Sequence, residues 1–145
     1  MIWKHEAIDK LKQYEAKRLA LQTIPAEIKR LELDMQGIRS AASDGSPAKG
    51  GGSGREDMML SNIVRREELE RTLDQARIWV DLVDAAFSLL DREERLLLDR
   101  FYIRQEKGAA ERLAGDLHMD VKTVYRRKDE ALRKFTISLY GGTET

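Results

Sequence analysis

The chain has 145 residues, with 26 basic and 26 acidic side chains, so its formal net charge is zero. Its length allows one ordinary domain or two very small ones. Charged residues make up 36% and aromatic residues 6%, with only two prolines, a mixture that favours helices over a sandwich or barrel. Because there is no cysteine, a disulfide framework and a thiolate metal site are excluded.

Neither a membrane segment nor a catalytic site is apparent. No apolar run approaches the ~18 residues of a membrane span, and the opening MIWKHEAIDK lacks the apolar core of a signal peptide. The two histidines, His5 and His118, lie in different segments, so we expect no metal site. The carboxylates, Glu93 and Glu94 among them, are expected on solvated helix faces. We therefore expect a cytoplasmic protein that is not an enzyme and has no cofactor and no membrane partner.

Residues 1–90 predict an antiparallel helical hairpin. The first arm carries apolar residues at spacings of 4-3-4-3, which is the seam of a coiled coil. Pro25 lies within this arm, and we expect a kink or short break at residues 22–25, because proline removes an N–H and clashes with the preceding turn. Alternatively, Thr23 caps a new helix with Pro25 in its first turn. The seam residues are Ile24, Ile28, Leu31, Met35 and Ile38.

Residues 41–55 are dominated by glycine, serine and proline and predict a flexible loop at the tip of the hairpin. A phosphate-binding loop is not favoured, because no strand precedes it and G-x-x-x-x-G-K-[ST] is absent.

From Arg55 the pattern predicts a long second arm, with a regular 4-3-4-3-4-3 seam from Leu69 to Leu90. If residues whose numbers sum to about 97 face one another, Met35 opposite Asn62 is one of the weak pairs. A second apolar stripe widens the face beyond what one partner helix covers. We expect it to be covered by the first helix, the C-terminal domain and a second copy, which predicts a homodimer. This stripe consists of Trp79, Leu82, Ala86 and Leu89.

Residues 91–140 predict a helix-turn-helix, within which residues 110–129 read AERLAGDLHMDVKTVYRRKD. A small residue, Ala114, and a branched one, Val124, fall where two crossing helices need them. Asp91 and Asp120 can cap the helices that follow them. Glycines 141 and 142 end the last helix, and residues 141–145 form a tail whose end, Thr143 to Thr145, is expected to fray.

These residues resemble region 4 of the sigma-70 type sigma factors. In the pattern L-P-x-R-E-R-x-V-L-x-L-R-Y, the matching residues are Leu90, Glu94, Arg95, Leu97, Leu98 and Tyr102. In the pattern I-A-x-x-L-G-V-S-x-x-x-V…A-L, they are Leu113, Ala114, Leu117, Val124, Ala131 and Leu132. Four positions depart: Asp91 replaces the proline, His118 the turn glycine, Asp120 the serine cap and Arg127 an apolar residue. The architecture as a whole resembles the phage ArpU/RinA-type transcriptional regulators.

The resemblance implies a sequence-specific, phage-derived DNA-binding regulator of transcription in a bacterial host cell. The helix at 120–135 would read the major groove of double-stranded DNA, and RNA polymerase would be a further partner. Two alternatives remain: a DNA-packaging protein like a phage small terminase, and an interaction protein that contacts polymerase and not DNA. Arg100, Arg104, Lys128 and Arg133 are expected as phosphate contacts or plain surface. The candidate DNA-binding residues are Lys122, Thr123, Tyr125, Arg126, Arg127, Lys128 and His118.

Overall fold

The computed structural model describes residues 2–43 and 51–144. These residues form six α-helices and one π-helical turn, with no β-strand, which confirms the predicted all-α class. The helices are α1 (Trp3–Lys12), α2 (Tyr14–Ser43), α3 (Gly51–Phe87), α4 (Arg92–Leu98), α5 (Ala109–Asp116) and α6 (Val121–Tyr140), and the π-helical turn, Asp99–Ile103, follows α4 directly. Among the helices described, none is both long and apolar enough to cross a membrane.

The chain divides into two compact units. One unit joins Met1–Arg18 to Ile78–Thr145, and the other is Leu19–Arg77. The boundary predicted at residue 90 lies inside the first unit, because the C-terminal helices share a core with α1 and with the end of α3. Helix α6 is the common partner there, contacting α1, α4 and α5.

The core of the first unit forms around one side of α6. Phe135 is fully buried and its ring lies 5.4 Å from that of Phe87 at the end of α3. Helix α4 enters this core in a fixed register, since Asp91 and Glu94 form the predicted cap as a reciprocal capping box, with the Glu94 amide 2.8 Å from the Asp91 carboxylate. The buried residues are Ala7, Leu11, Val83, Ala86, Leu90, Leu98, Ile103, Ala131, Leu132 and Phe135.

The two ends of the described chain bind each other. The amide of Trp3 donates to the carbonyl of Thr143 at 2.9 Å, and Ile2 and Glu144 form an antiparallel bridge. The Trp3 ring stacks on Tyr140 with centroids 4.8 Å apart. The prediction that Thr143 and its neighbours fray is therefore wrong for residues 143 and 144, because stacked aromatic rings hold the two segments together. We call this contact the terminal clasp.

The second apolar stripe of α3 is covered in part from within the first unit. Ala86 is buried in the core, and Trp79 donates its indole N–H to the carbonyl of Lys10 at 3.0 Å. The ammonium of Lys10 lies 4.8 Å from the Trp79 ring centroid. Leu82 and Leu89 stay exposed. Association of two copies through this helix stays a prediction.

Near the start of α2, Tyr14 is fixed against α3. Its hydroxyl donates to the carboxylate of Asp84 at 2.6 Å. Burial and the neighbouring Asp84 charge raise the pKa of Tyr14 to about 12, because both disfavour the phenolate.

The second unit contains residues of α2 and α3, and a buried hydrogen bond joins the two helices. Its buried residues include Leu31 and Met35 of α2 and Leu73 of α3. Asn62, only 6% exposed, donates its side-chain amide to the carbonyl of Leu31 at 2.7 Å. Its side-chain oxygen accepts from Arg66 at 2.9 Å. The predicted weak pair at Asn62 is thus a satisfied polar contact in an apolar seam, where polar groups favour one register.

Two predictions about the arms need correction. The predicted short break and the alternative of a new helix capped by Thr23 are both wrong, because α2 is unbroken at residues 22–25, with Pro25 inside it, and the helix is interrupted only at Gln13, between α1 and α2. A kink at Pro25 stays a prediction. Pro25 is exposed while its neighbour Ile24 is buried, so packing holds the helix and water can reach the carbonyl that loses its N–H partner. Helix α3 begins at Gly51, before Arg55, and the middle of the predicted loop, residues 44–50, lies outside the described residues.

We predict that Asn62→Ala lowers the free energy of unfolding of this unit by about 1–2 kcal/mol, because it removes one buried and one partly buried hydrogen bond. The matched control is Ser61→Ala, one position away on the exposed face, which should stay within about 0.5 kcal/mol of wild type. Urea unfolding followed by circular dichroism measures both. Equal stability of the two variants would contradict a structural role for Asn62.

Candidate nucleic-acid interface

Helices α5 and α6 are joined by a tight turn with defined ends. His118 adopts the left-handed conformation (φ 55°), and the amide of Met119 donates to the carbonyl of Ala114 at 3.1 Å. This hydrogen bond closes the C-terminus of α5 as a Schellman motif. His118, which stands where the region 4 pattern has glycine, therefore occupies a conformation that glycine adopts more easily.

The predicted cap of α6 is confirmed. The carboxylate of Asp120 accepts from the amide of Thr123 at 2.7 Å. Hydrogen bonds from Thr123, first of its side chain and then of its amide, hold the pKa of Asp120 below its usual range. The predicted glycine cap at the other end is confirmed too, with Gly141 left-handed at φ 77°.

A second core fixes α5 against α6. Val124 and Leu113 are fully buried, with Ala110 beside them and Leu97 of α4 beneath. Ala114 and Leu117 are half-buried and pack against this cluster. Val124 and Ala114 thus lie between the two helices, as the sequence predicts. The opposite side of α6 faces the solvent.

Three of the predicted contact residues share that outward side. Lys122, Tyr125 and Arg126 are all exposed, in the first two turns of α6. Arg126 makes one ion pair along the helix, with Glu130 at 3.1 Å. Because both partners are solvated, this pair contributes little and leaves the guanidinium available.

Arg127 points to the other flank and is bound to α4. One of its terminal nitrogens lies 2.9 Å from both carboxylate oxygens of Glu93. Two turns further along α6, Lys134 pairs with Glu94 at 2.9 Å. The Glu94 side chain is only 13% exposed, so the expectation that it lies on a solvated face is wrong for Glu94. The cations of α6 draw these carboxylates into contact.

Lys128 lies in an aromatic cage. Its ammonium is 5.3 Å from the ring centroid of Phe101 and 5.7 Å from those of Tyr102 and Tyr125. It also pairs with Asp129 at 2.7 Å, and its side chain is 14% exposed. Burial alone lowers the pKa of Lys128, but the bonds to Asp129 and Tyr102 outweigh it and the pKa is raised. Lys128 therefore stabilises the packing of the π-helical turn against α6.

The remaining candidates differ in availability. The hydroxyl and the amide of Thr123 are both engaged with Asp120, whereas His118 is exposed at the turn. Of the further basic residues, Arg100 pairs with Glu106 at 3.2 Å and Arg104 with Asp99 at 3.0 Å. The same Glu106 also pairs with Arg112 of α5.

Sequence reasoning missed a groove beside the outward side of α6. It has a volume of about 680 Å³ and runs between α6 and the terminal clasp. Lys4 of α1 lines it together with Lys122, Arg126 and Arg133 of α6. No sequence pattern connects Lys4 to α6, since only the fold brings them together.

Comparison of the chain with family models, with curated proteins and with solved structures finds no match in any of the three. Within the described ranges, no group of three or more histidine, cysteine, aspartate or glutamate side chains is placed to hold a metal ion.

We predict that Asp120→Ala lowers the melting temperature by about 2–5 °C, because the first N–H groups of α6 lose their acceptor. The depressed pKa of Asp120 means that the cap stabilises the protein above pH 3.8, the ordinary value, and that this stabilisation disappears as the pH falls through the lower folded-state value. Thermal scans at pH 7 and pH 3 measure the effect. A gap to wild type that does not shrink at pH 3 would rule out the charged cap as its cause.

We also predict that His118→Gly raises stability by up to about 1 kcal/mol, because glycine removes the steric cost of the left-handed conformation but loses more chain entropy. His118→Ala is the matched control. It removes the imidazole but keeps the Cβ atom, so it should not stabilise. Chemical denaturation measures the free energy of unfolding of both variants. Equal stabilisation by both would mean that loss of the imidazole ring, and not relief of the left-handed backbone, causes the effect.

Proposed function

We propose that the protein is a sequence-specific DNA-binding regulator of transcription in which α5 and α6 form a helix-turn-helix and α6 enters the major groove. One observation carries the proposal: Lys122, Tyr125 and Arg126 are exposed together at the capped start of α6, while Val124 on the opposite side is fully buried. In helix-turn-helix proteins, the N-terminal part of the second helix reaches the base edges.

The chemistry of these side chains fits the task. Arginine can grip the edge of a guanine with two hydrogen bonds, and lysine neutralises a phosphate as a point charge. Arg126 is held only by its solvated pair with Glu130. Lys122 makes no ion pair with any described residue, so its charge is available to an external anion.

A plain packing module is the competing explanation for α5 and α6. Such a module needs the buried side of α6, and it gives no role to Lys122 and Arg126, the two exposed cations at the start of the helix. The resemblance to sigma-70 region 4 supports the regulatory function, with the residues of the turn as its main departures.

We propose in addition that α2 and α3 form an antiparallel helical hairpin through their apolar seams. The support is the satisfied contact between Asn62 and Leu31, which joins the two helices through a buried polar group. In coiled coils, a polar residue in the seam selects one register and partner arrangement.

The test is DNA binding by variants of α6. Arg126→Ala should weaken binding to the cognate duplex by about 1–3 kcal/mol more than binding to random DNA, because it removes a hydrogen-bonded grip on a base. Lys122→Ala should weaken both equally and lower the salt slope by about one, because it removes a charge that neutralises a phosphate. Fluorescence anisotropy at several salt concentrations measures both, after a genome-wide binding-site map has supplied the cognate sequence.

Lys107→Ala is the control variant, because Lys107 is exposed outside α6 and away from its cap. It should bind both duplexes like wild type. If Arg126→Ala and Lys122→Ala also behave like wild type while folded by circular dichroism, α6 does not read DNA and the proposal fails.

A further inference from the structure

The two flanks of α6 differ in charge, although the helix itself carries cations on both. On the flank toward α4 lies a cleft lined by four carboxylates, those of Asp91, Glu93, Glu94 and Glu130. Its three cations are Arg126, Arg127 and Lys134, and each of them pairs with one of these carboxylates. The cleft therefore offers no unpaired positive charge to a phosphate.

The flank toward the terminal clasp has the opposite balance. Its groove holds two carboxylates of α6, Asp129 and Glu130, and both are already paired, with Lys128 and Arg126. Three other cations line the groove and make no ion pair within the described part of the chain. They are Lys4, Lys122 and Arg133, against one further carboxylate, Glu144.

Lys4 owes its place in this groove to the terminal clasp. The Trp3 amide bonds the carbonyl of Thr143, and the Trp3 ring stacks on Tyr140 at the end of α6. These contacts fix the residue before Lys4 against α6. Lys4 also lies in the first turn of α1, which has no side-chain cap. The helix dipole disfavours a cation there but favours an approaching anion.

We propose that a phosphodiester strand of duplex DNA runs along the groove between α6 and the terminal clasp, with Lys4 and Arg133 as phosphate contacts. The inference rests on the proposed function and deepens it, since it says from which flank of α6 the backbone approaches. Lys4 lies far outside the segment that resembles region 4, so the N-terminal helix becomes part of the DNA interface. Charge complementarity selects the occupant: the groove presents unpaired cations to a polyanion, and the opposite cleft repels it.

The experiment measures the salt dependence of binding to the cognate duplex and to a random duplex with the full chain. Removing one cation that neutralises a phosphate should lower the slope of log K against log salt by about 0.9. Lys4→Ala and Arg133→Ala should each lower it by that amount on both duplexes. Lys4→Arg keeps the charge and should keep the wild-type slope.

Lys134→Ala is the matched control, because it removes a cation one residue from Arg133 but on the acidic flank. Its slope should equal that of wild type, with folding of all variants checked by circular dichroism. Equal decreases in slope for Lys134→Ala and Lys4→Ala would overturn the inference, because only bulk charge would then matter.

Different results would contradict the DNA strand in the groove and DNA binding through α6. Wild-type slopes for Lys4→Ala and Arg133→Ala, together with a lowered slope for Lys122→Ala, would remove the strand from the groove while leaving α6 as the reader. Wild-type binding by the Lys122 and Arg126 variants as well would refute DNA binding through α6 altogether.

Discussion

The arrangement of the first unit depends on the burial of one side of α6. Phe135, Leu132 and Ala131 are fully buried against residues from α1, α3 and α4, and Val124 against α5. Burying each larger side chain contributes about 1.5–3 kcal/mol, and all of these contributions come from a single helix. Because α6 is the common partner, the placement of α1, α4 and α5 follows from its apolar stripe. The same burial determines which residues of α6 face the solvent, and these residues form the candidate interface.

The polar contacts around α6 sort its cations into two groups. Arg127, Lys128 and Lys134 are bound to carboxylates, and Lys128 also lies among aromatic rings. Lys122 and Arg133 are not paired within the described chain. The pair between Arg127 and Glu93 joins α6 to α4 through side chains that are 34 positions apart in the sequence.

Short-range features were predictable from the sequence and long-range ones were not. The caps at Asp91, Asp120 and Gly141 were predictable because each depends on residues a few positions apart. The apolar stripes were predictable for the same reason, through their helical spacing. The terminal clasp was not, because stacking of Trp3 on Tyr140 depends on how the whole chain returns on itself. The cage around Lys128 and the pairing of Glu93 with Arg127 likewise require the packing of α6 on its neighbours, which charge patterns do not specify.

A chain with zero net charge can bind a polyanion through charge only where some of its cations are not paired with its own carboxylates. In the first unit, those left over near α6 are Lys4, Lys122 and Arg133, and Arg126 is held only loosely. Three or four phosphate contacts are fewer than the 6–10 that give strongly salt-dependent binding. Under the proposed function, one copy would therefore hold DNA weakly through electrostatics, and tight binding would require base contacts together with a second copy or a bound partner. The exposed Leu82 and Leu89 on α3 offer an apolar surface for such a contact.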